Sequence, residues 1–373
     1  MKIIVSRLGK PFIATLLALL LILQSGCGFK DIDKRIFVMS IGIDHTDNEK
    51  KPYKIILKLA VPSGSLKQSG TEYTYLTKES ESIAAAIRLL KTHVDKEIDF
   101  GHAKVIVLGK EILHHDLTEV LDIFVRRRDI QRISWVAVGT PNAESVLKAE
   151  PSSEMAGSHA LFNLFDQNGV ESSYIVTTFL FDLRRRMLET GIDPILPVLT
   201  SSKDKKKIIV NSSVLLAKNK DPFKLTPMET KICNLLLNNV QRTDLTVKRD
   251  DLQYTVSIDT AKTNFKIITK PKQKPVLKMD VTMEGIIEES NQGMNIKDLS
   301  TFSKHASEVA KKDITALLKK FQENEVDPLG FGVRYKATRL HTKDTYKEWL
   351  KLYPEMAFDV NVKVEVMSTG IIE

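Results

Sequence analysis

A cysteine placed directly behind a small residue, at the end of an apolar leader, can become a lipid attachment point, and Cys27 stands in that setting. Lys2, Arg7 and Lys10 precede an apolar run over residues 12–23, and Ser25 and Gly26 follow it. That is the charged, apolar and small-residue order of an export signal. A span needs about 20 apolar residues to cross the hydrocarbon core, so this run is a signal rather than an anchor. Residues 1–26 are therefore expected to be removed. The thiol of Cys27 would then carry a diacylglyceryl thioether, with residues 27–36 as the lipidated tether.

The other candidate residues point to chemistry less strongly. His114 and His115 are adjacent, and neighbours on a helix point about 100° apart, so they cannot share one ion as i, i+4 ligands do. The stretch Asp44-His45-Thr46-Asp47-Asn48-Glu49 has the oxygen content of a calcium loop but lacks its glycine at position six and its glutamate at twelve. It reads as a polar hairpin connection. Gly330-Phe331-Gly332 is not followed by Lys-Ser/Thr, which excludes a P-loop and leaves a tight turn. Paired serines (Ser152-Ser153, Ser172-Ser173, Ser212-Ser213) occur without a Gly-x-Ser-x-Gly elbow, and no triad or paired-carboxylate motif accompanies them. Cys233 lies within an apolar helical pattern and reads as core. No catalytic residue, metal site or cofactor is expected.

The full chain carries a net charge of +8, and loss of the three cations before the cut leaves +5. That modest balance suits an anionic membrane surface, and no zinc-finger spacing or RNP-like motif supports nucleic-acid binding. The runs Arg126-Arg127-Arg128, Arg184-Arg185-Arg186 and the lysines from Lys270 to Lys278 read first as solvated faces. Near an anionic surface each such cation could still contribute about 1 kcal/mol. With only two cysteines, and one of them lipidated, no disulfide framework is available. The 373-residue chain must rely on ordinary hydrophobic cores, enough for two to three domains.

Elements that would position these residues follow from periodicity. Strands are expected at 37–43, 53–61 and 71–77, the second with Lys54 and Lys58 on one face. Ile83, Ala86, Ile87 and Leu90 then form one stripe of a helix starting near Ser80 or Ser82. Strand 105–108, a helix with Leu117, Val120, Leu121 and Phe124, strand 133–138 and helix 143–147 alternate, as in a sheet covered by helices. Helices are expected at 158–167 and 173–189, a helix-breaking segment at 193–197 and an exposed turn at 201–207. The main boundary is placed there, between a 37–203 region that can divide into two subdomains and a 204–373 domain. Strand 208–217 leads to a helix whose start is legible: Thr226 as N-cap, Pro227 in the first turn and Glu229 closing a capping box. Residues 252–288 read as a three-stranded meander with Pro271 and Pro275, residues 299–321 as a long helix, and 358–366 as a strictly alternating strand. The fold class is mixed, α/β to α+β, with a central sheet flanked by helices in each domain.

These residues together resemble the Ger(x)C family of spore germination lipoproteins, the C subunits of nutrient germinant receptors in spore-forming Firmicutes. The likeness rests on Leu23-Gln24-Ser25-Gly26-Cys27 as lipobox, the strand ending Gly42-Ile43-Asp44, and Gly101-His102-Ala103-Lys104-Val105-Ile106. Leu121-Asp122 through Arg128-Asp129, Asp327-Pro328-Leu329-Gly330-Phe331-Gly332, Trp349 and the terminal strand extend it along the chain. Gln24 replaces the usual aliphatic residue, and Gly28-Phe29 stands where many members carry tryptophan and aspartate. The resemblance implies a non-catalytic subunit, anchored through Cys27 on the outer face of the inner spore membrane or the cell membrane. Its partners would be integral-membrane A and B subunits. A solute-binding lipoprotein using the same anchor is the alternative, and an extracytoplasmic hydrolase a more distant one.

Overall fold

β-branched and apolar residues in short runs give this chain its strands, and the computed structural model places them in two sheets. It describes residues 34–61, 72–151, 160–168, 172–217, 220–237, 242–339, 342 and 344–369. The chain divides into Met1–Arg35 and a compact unit, Ile36–Glu373. Nearly all of the first, including the expected signal peptide and Cys27, lies outside the described residues. No helix among the described residues is long and apolar enough to cross a membrane.

Among the described residues, the first sheet has nine strands. They are β1 (Arg35–His45), β2 (Tyr53–Val61), β3 (Glu72–Ser80), β4 (Glu97–Asp99), β5 (Val105–Gly109), β6 (Trp135–Thr140), β7 (Ile195–Ser201), β8 (Ile208–Leu215) and β9 (Phe223–Leu225). The order is β3-β2-β1-β5-β6-β7-β8-β9, with β4 on β1. Strands β1, β5, β6 and β7 run parallel, and the outer strands pair antiparallel. Parallel strands need crossovers, which put helices on both faces. Helices α1 (Ile83–Leu90) and α2 (Leu117–Arg126) bury Ile83, Ile87, Val120 and Phe124 against one face. Helix α3 (Ala143–Leu147) and the short α4 (Ala160–Asn163) bury Val146, Leu147 and Leu161 against the other. The helix N-termini are capped as the chemistry of Ser, Asp and Asn dictates: Ser82 on α1, Asp116 on α2, Asn142 on α3.

The second sheet, β10-β11-β12-β13, consists of β10 (Thr243–Arg249), β11 (Leu252–Ile268), β12 (Val276–Ser290) and β13 (Ala357–Val366). Helix α6 (Pro227–Leu236) begins with the expected capping box of Thr226 and Glu229. Helix α7 (Leu299–Glu323) lays Phe302, Ala306, Ala310, Ile314 and Leu317 on the sheet's inner face. It also covers the free edge of β13: the hydroxyls of Ser307 and Ser303 accept from the backbone N–H groups of Val364 and Val366, each at 2.9 Å. Two further helices, α8 (Phe331–Ala337) and α9 (Thr345–Leu352), stand in the crossover from β12 to β13.

Several elements differ from expectation. The helix expected at 173–189 is only α5 (Leu180–Leu188), because residues 173–174 form a turn and 175–179 lie outside any helix. The carbonyls of Ser173 and Ile175 accept from the Asn234 amide, that of Thr178 accepts from the Val136 N–H, and Phe179 bridges Trp135. Such external partners outbid the local i→i−4 pattern for a β-branched run of Ile175, Val176, Thr177 and Thr178. The segment expected only to break helix is the start of β7, since pairing with β6 begins at Val198, one residue past Pro197, whose missing N–H therefore costs nothing there. Strand β6 starts at Trp135, not Ile133, which is 57 % exposed. The meander has three strands, yet 252–288 supplies only two of them, because β11 and β12 are long and β10 precedes them. Strands β8 and β9, which follow the exposed turn at 201–207, continue the first sheet.

Candidate functional site

The Gly42-Ile43-Asp44 end of β1 is a packing device. A β-carbon on Gly42 would lie 3.2–3.3 Å from Leu147 and Ala143 of α3, so glycine lets that short helix sit down on the sheet. Two residues on, the buried Asp44 carboxylate accepts from the N–H groups of Ala143 at 2.7 Å and Glu144 at 3.0 Å, which fills the N-terminus of α3. Gly109, at the end of β5, leaves the space this carboxylate needs, since a β-carbon there would meet Asp44 Oδ1 at 2.0 Å. Burial raises the Asp44 carboxyl above its ordinary range, against the pull of the two amides. Crevices at the carboxyl ends of parallel strands are where doubly wound sheets receive ligands. Here the helix donors that would meet an anion are already taken by the protein's own carboxylate.

The second cluster joins α5 and the loop behind it to the turn after α7. Arg186 donates from Nη1 to the carbonyl of Pro328 at 2.9 Å and from Nε to Asp182 at 2.7 Å. The Asp327 N–H donates to Asp193 Oδ2 at 2.6 Å, and the Asp193 N–H returns to the Asp327 carbonyl at 2.8 Å. The Asp327 carboxylate accepts from Phe331 and Gly332 N–H at 3.0 and 2.8 Å, so it caps α8, while Gly330 at φ +75° makes the turn that glycine permits. Burial pushes the Asp327 carboxyl up to about 7; the Gly332 and Phe331 amides oppose this and the neighbouring Asp193 adds to it. Gly191 and Gly332 touch backbone to backbone, with the Trp349 indole closing over Gly332. Lys336 on α8 reaches Glu189 at 2.5 Å. Beside this junction lies a cavity of about 310 Å³ whose walls include Asp193, Asp327, Tyr346, Trp349 and Tyr353.

The Asp327-x-x-Gly-x-Gly segment read as a turn is thus a helix cap at a junction. Arg186 and Asp193 carried no such expectation, although successive steps of three from Leu180 through Leu183 place Arg186 on the apolar side of α5. Of residues 44–49, Asp44 and His45 end β1, paired with Lys54 and Tyr53, and the rest open the polar 46–52 hairpin connection to β2. His115 stacks on His45 with ring centroids 3.9 Å apart, and His114 faces Asp221 at 3.4 Å, so the two adjacent histidines diverge. Partial desolvation and the His45 ring hold the His115 imidazole below its usual range. Cys233 is fully buried and its thiol is pushed up to about 12 by that burial. Among the described residues no three His, Cys, Asp or Glu side chains converge as metal ligands. Lys58 is buried over the Tyr73 ring, whereas the lysines at 270, 272 and 274 are exposed at the β11–β12 tip.

Comparison with known proteins gives a consistent pattern. Residues 28–201 match the family described as spore germination protein N-terminal domain, and residues 212–370 the family described as spore germination B3/GerAC like, C-terminal. Spore germination protein KC of Bacillus subtilis (strain 168) is 23 % identical, with 97 % of this chain and 96 % of that protein covered. Spore germination protein GerQC of Bacillus cereus is 23 % identical over 74 % of this chain and 77 % of its own length. The crystal structure of the GerBC protein superposes with a TM-score of 0.55 at 17 % identity, over 88 % of this chain and 98 % of that one.

Proposed function

The chain belongs to the GerAC-like family of spore germination proteins, and on that premise we propose that it is the lipid-anchored C subunit of a nutrient germinant receptor. The observation that carries this reading is the match of both family domains in sequence order, beginning at residue 28, directly behind Cys27. Removal of the leader and acylation of Cys27 hold the subunit on the outer face of the inner spore membrane. There it contacts the integral-membrane A and B subunits, and those contacts, rather than bond-making, are its work. The clusters around Asp44 and Asp327 support that view, because their polar atoms are spent on capping helices.

The test is to tag the chain at its C-terminus, solubilise spore membranes in mild detergent, and identify what co-purifies with wild type and with Cys27→Ala. Two integral-membrane proteins that accompany wild type and are depleted with the variant are expected. If nothing membrane-integral co-purifies, the receptor reading loses its mechanism. The cavity walled by Asp193, Asp327 and three aromatic residues favours solute binding as the second reading. Saturable calorimetric binding of an amino acid, sugar or nucleoside to the isolated chain would move that reading ahead.

A further inference from the structure

Burial of apolar groups explains most of this molecule, but one corner of the first sheet shows the reverse. Ile133 is 57 % exposed, Phe181 48 % and Leu188 58 %. The N–H groups of Leu180 and Phe181 donate to the carbonyls of Ser134 and Arg132, which brings Ile133 beside the start of α5. Phe181 and Leu188 are seven residues apart on α5, on one face of the helix, and Arg184 and Arg185 lie between them on that face. Phe181 also ends a ladder of rings, stacked on Phe179 at 5.6 Å, which stacks on the buried Trp135 at 5.5 Å. The outermost ring is therefore held by packing and cannot fold back under cover.

The location of this corner follows from register. Strands β1, β5 and β6 are adjacent and parallel, with Ser40 opposite Val105 and Val105 opposite Trp135. Residues just before Trp135 thus share an edge of the sheet with residues just before Ser40, two strand spacings or about 10 Å away. Both ends of α5 are tied to that same edge: Leu180 to Ser134 at the start of β6, and Arg186 to the Asp193 carbonyl, two residues before β7. The chain leaves the compact unit at Ile36, also at that edge. Cys27 precedes Ile36 by nine residues, which can span at most about 30 Å.

The charges on this corner favour an anionic surface. Asp182 is held by Arg185 and Arg186, and Asp129 by Arg127. Among the described residues, Arg132 and Arg184 are exposed and make no ion pair. Exposed apolar side chains ringed by unpaired arginines, on a rigid face within reach of a lipidated cysteine, are what an interfacial lipid contact requires.

We propose that Ile133, Phe181 and Leu188, flanked by Arg132 and Arg184, form a second, non-covalent membrane contact that seats the tether edge of the first sheet on anionic lipid headgroups. The inference rests on the reading that Cys27 is the anchor, since the anchor brings this edge to the bilayer. The two acyl chains of a diacylglyceryl group can hold the chain by themselves, and a basic and apolar surface beside them fixes which edge of the first sheet faces the bilayer.

The test uses residues 28–373, which contain the whole compact unit and lack the lipid. Sedimentation with vesicles of phosphatidylcholine plus phosphatidylglycerol is compared with phosphatidylcholine alone. Wild type is expected to bind the anionic vesicles. Ile133→Ser/Phe181→Ser and Arg132→Glu/Arg184→Glu should each bind roughly tenfold more weakly, while Lys270→Glu/Lys272→Glu/Lys274→Glu at the hairpin tip should bind as wild type does. Thermal melts check that the variants fold, and the single Ile133→Ser change provides a milder version. No binding by wild type, undiminished binding by the corner variants, or an equal loss in the hairpin variant each overturns the proposal. So does a result in which the corner variants lose co-purifying membrane proteins from spores while wild type ignores vesicles, since the face then belongs to a protein partner. The intact mass of the chain from membranes reports on Cys27 separately. An unacylated Cys27 with intact vesicle binding defeats the anchor alone.

Discussion

Gly191 and Gly332 meet so closely that a β-carbon on either would stand 2.6 Å from the other's backbone. One belongs to the loop after α5 and the other to the first turn of α8, so the contact welds the two sequence halves at one point. Gly332→Ala should destabilise the chain by about 1–3 kcal/mol through overpacking. Gly191→Ala should cost more, because its φ of +90° also excludes a side chain. Urea unfolding midpoints of the variants check this, and unchanged midpoints would mean the backbone yields at no cost.

Asp44→Ala should remove the acceptor for two N–H groups of α3 and lower stability by about 1–3 kcal/mol. Asp44→Asn, which keeps one carbonyl acceptor, should lose less. Hydrogen exchange at Ala143 and Glu144 should accelerate before the rest of the sheet is affected. If exchange there matches wild type, the cap is not what holds the helix.

The pH dependence of Asp327 follows from its raised carboxyl. Its ordinary value is 3.8 and its folded value about 7, so between those limits the folded chain binds the proton more tightly than the unfolded one. Its contribution to stability is thus fully present below about pH 4 and is lost as pH rises toward 7. Of its titratable neighbours Asp193 adds to the rise and Tyr346 and Tyr353 are neutral, while the nearby Arg186 guanidinium is directed at Asp182 and the Pro328 carbonyl. The stability difference between wild type and Asp327→Asn should therefore shift in favour of the variant as pH is raised from 4 to 7. Denaturant titrations across that range decide it, and a flat difference would show that the carboxyl ionises as if exposed.

Ser303→Ala/Ser307→Ala should strip two acceptors from the edge of β13 and cost about 1 kcal/mol for each hydrogen bond lost. The uncovered edge would also offer a template for another chain. Light scattering during refolding should rise in the double variant. Unaltered scattering would mean that the apolar packing of α7 protects the edge unaided.

Cys233 should resist thiol reagents until the chain unfolds, because burial both shields the sulfur and keeps it protonated. Labelling should track the urea unfolding transition. Rapid modification of native protein at neutral pH would contradict the buried placement.

Local signals were the legible ones. Thr226, Pro227 and Glu229 announce the start of α6 because every partner in a capping box lies within four residues. The alternation of Phe358 to Val366 marks β13 because one face is buried and the other solvated. Residues 173–179 misled because Asn234 and Val136, far along the chain, claim their carbonyls. Strands β4, β9 and β10 are short or half-polar, so nothing but their neighbours in the sheet identifies them. In the junction, the pairing of Asp327 with Asp193 and of the buried Arg186 guanidinium with Pro328 joins residues more than a hundred positions apart. A charge run hides one member that has turned inward, and only the helical spacing from Leu183 hints at it.

The parallel pairing of β12 with β13 has a consequence for the order in which the molecule can be built. The first sheet has all its described strands once residue 225 is available, and its neighbours are mostly close in sequence. The second waits for residues 357–366, which must return past α7, α8 and α9 before Val360, Val362 and Val364 can close its core. A chain emerging from its N-terminus can therefore collapse its first half early, while its second half stays open to the last. A nascent or truncated molecule lacking the final strand would expose a long apolar surface to whatever quality control it meets.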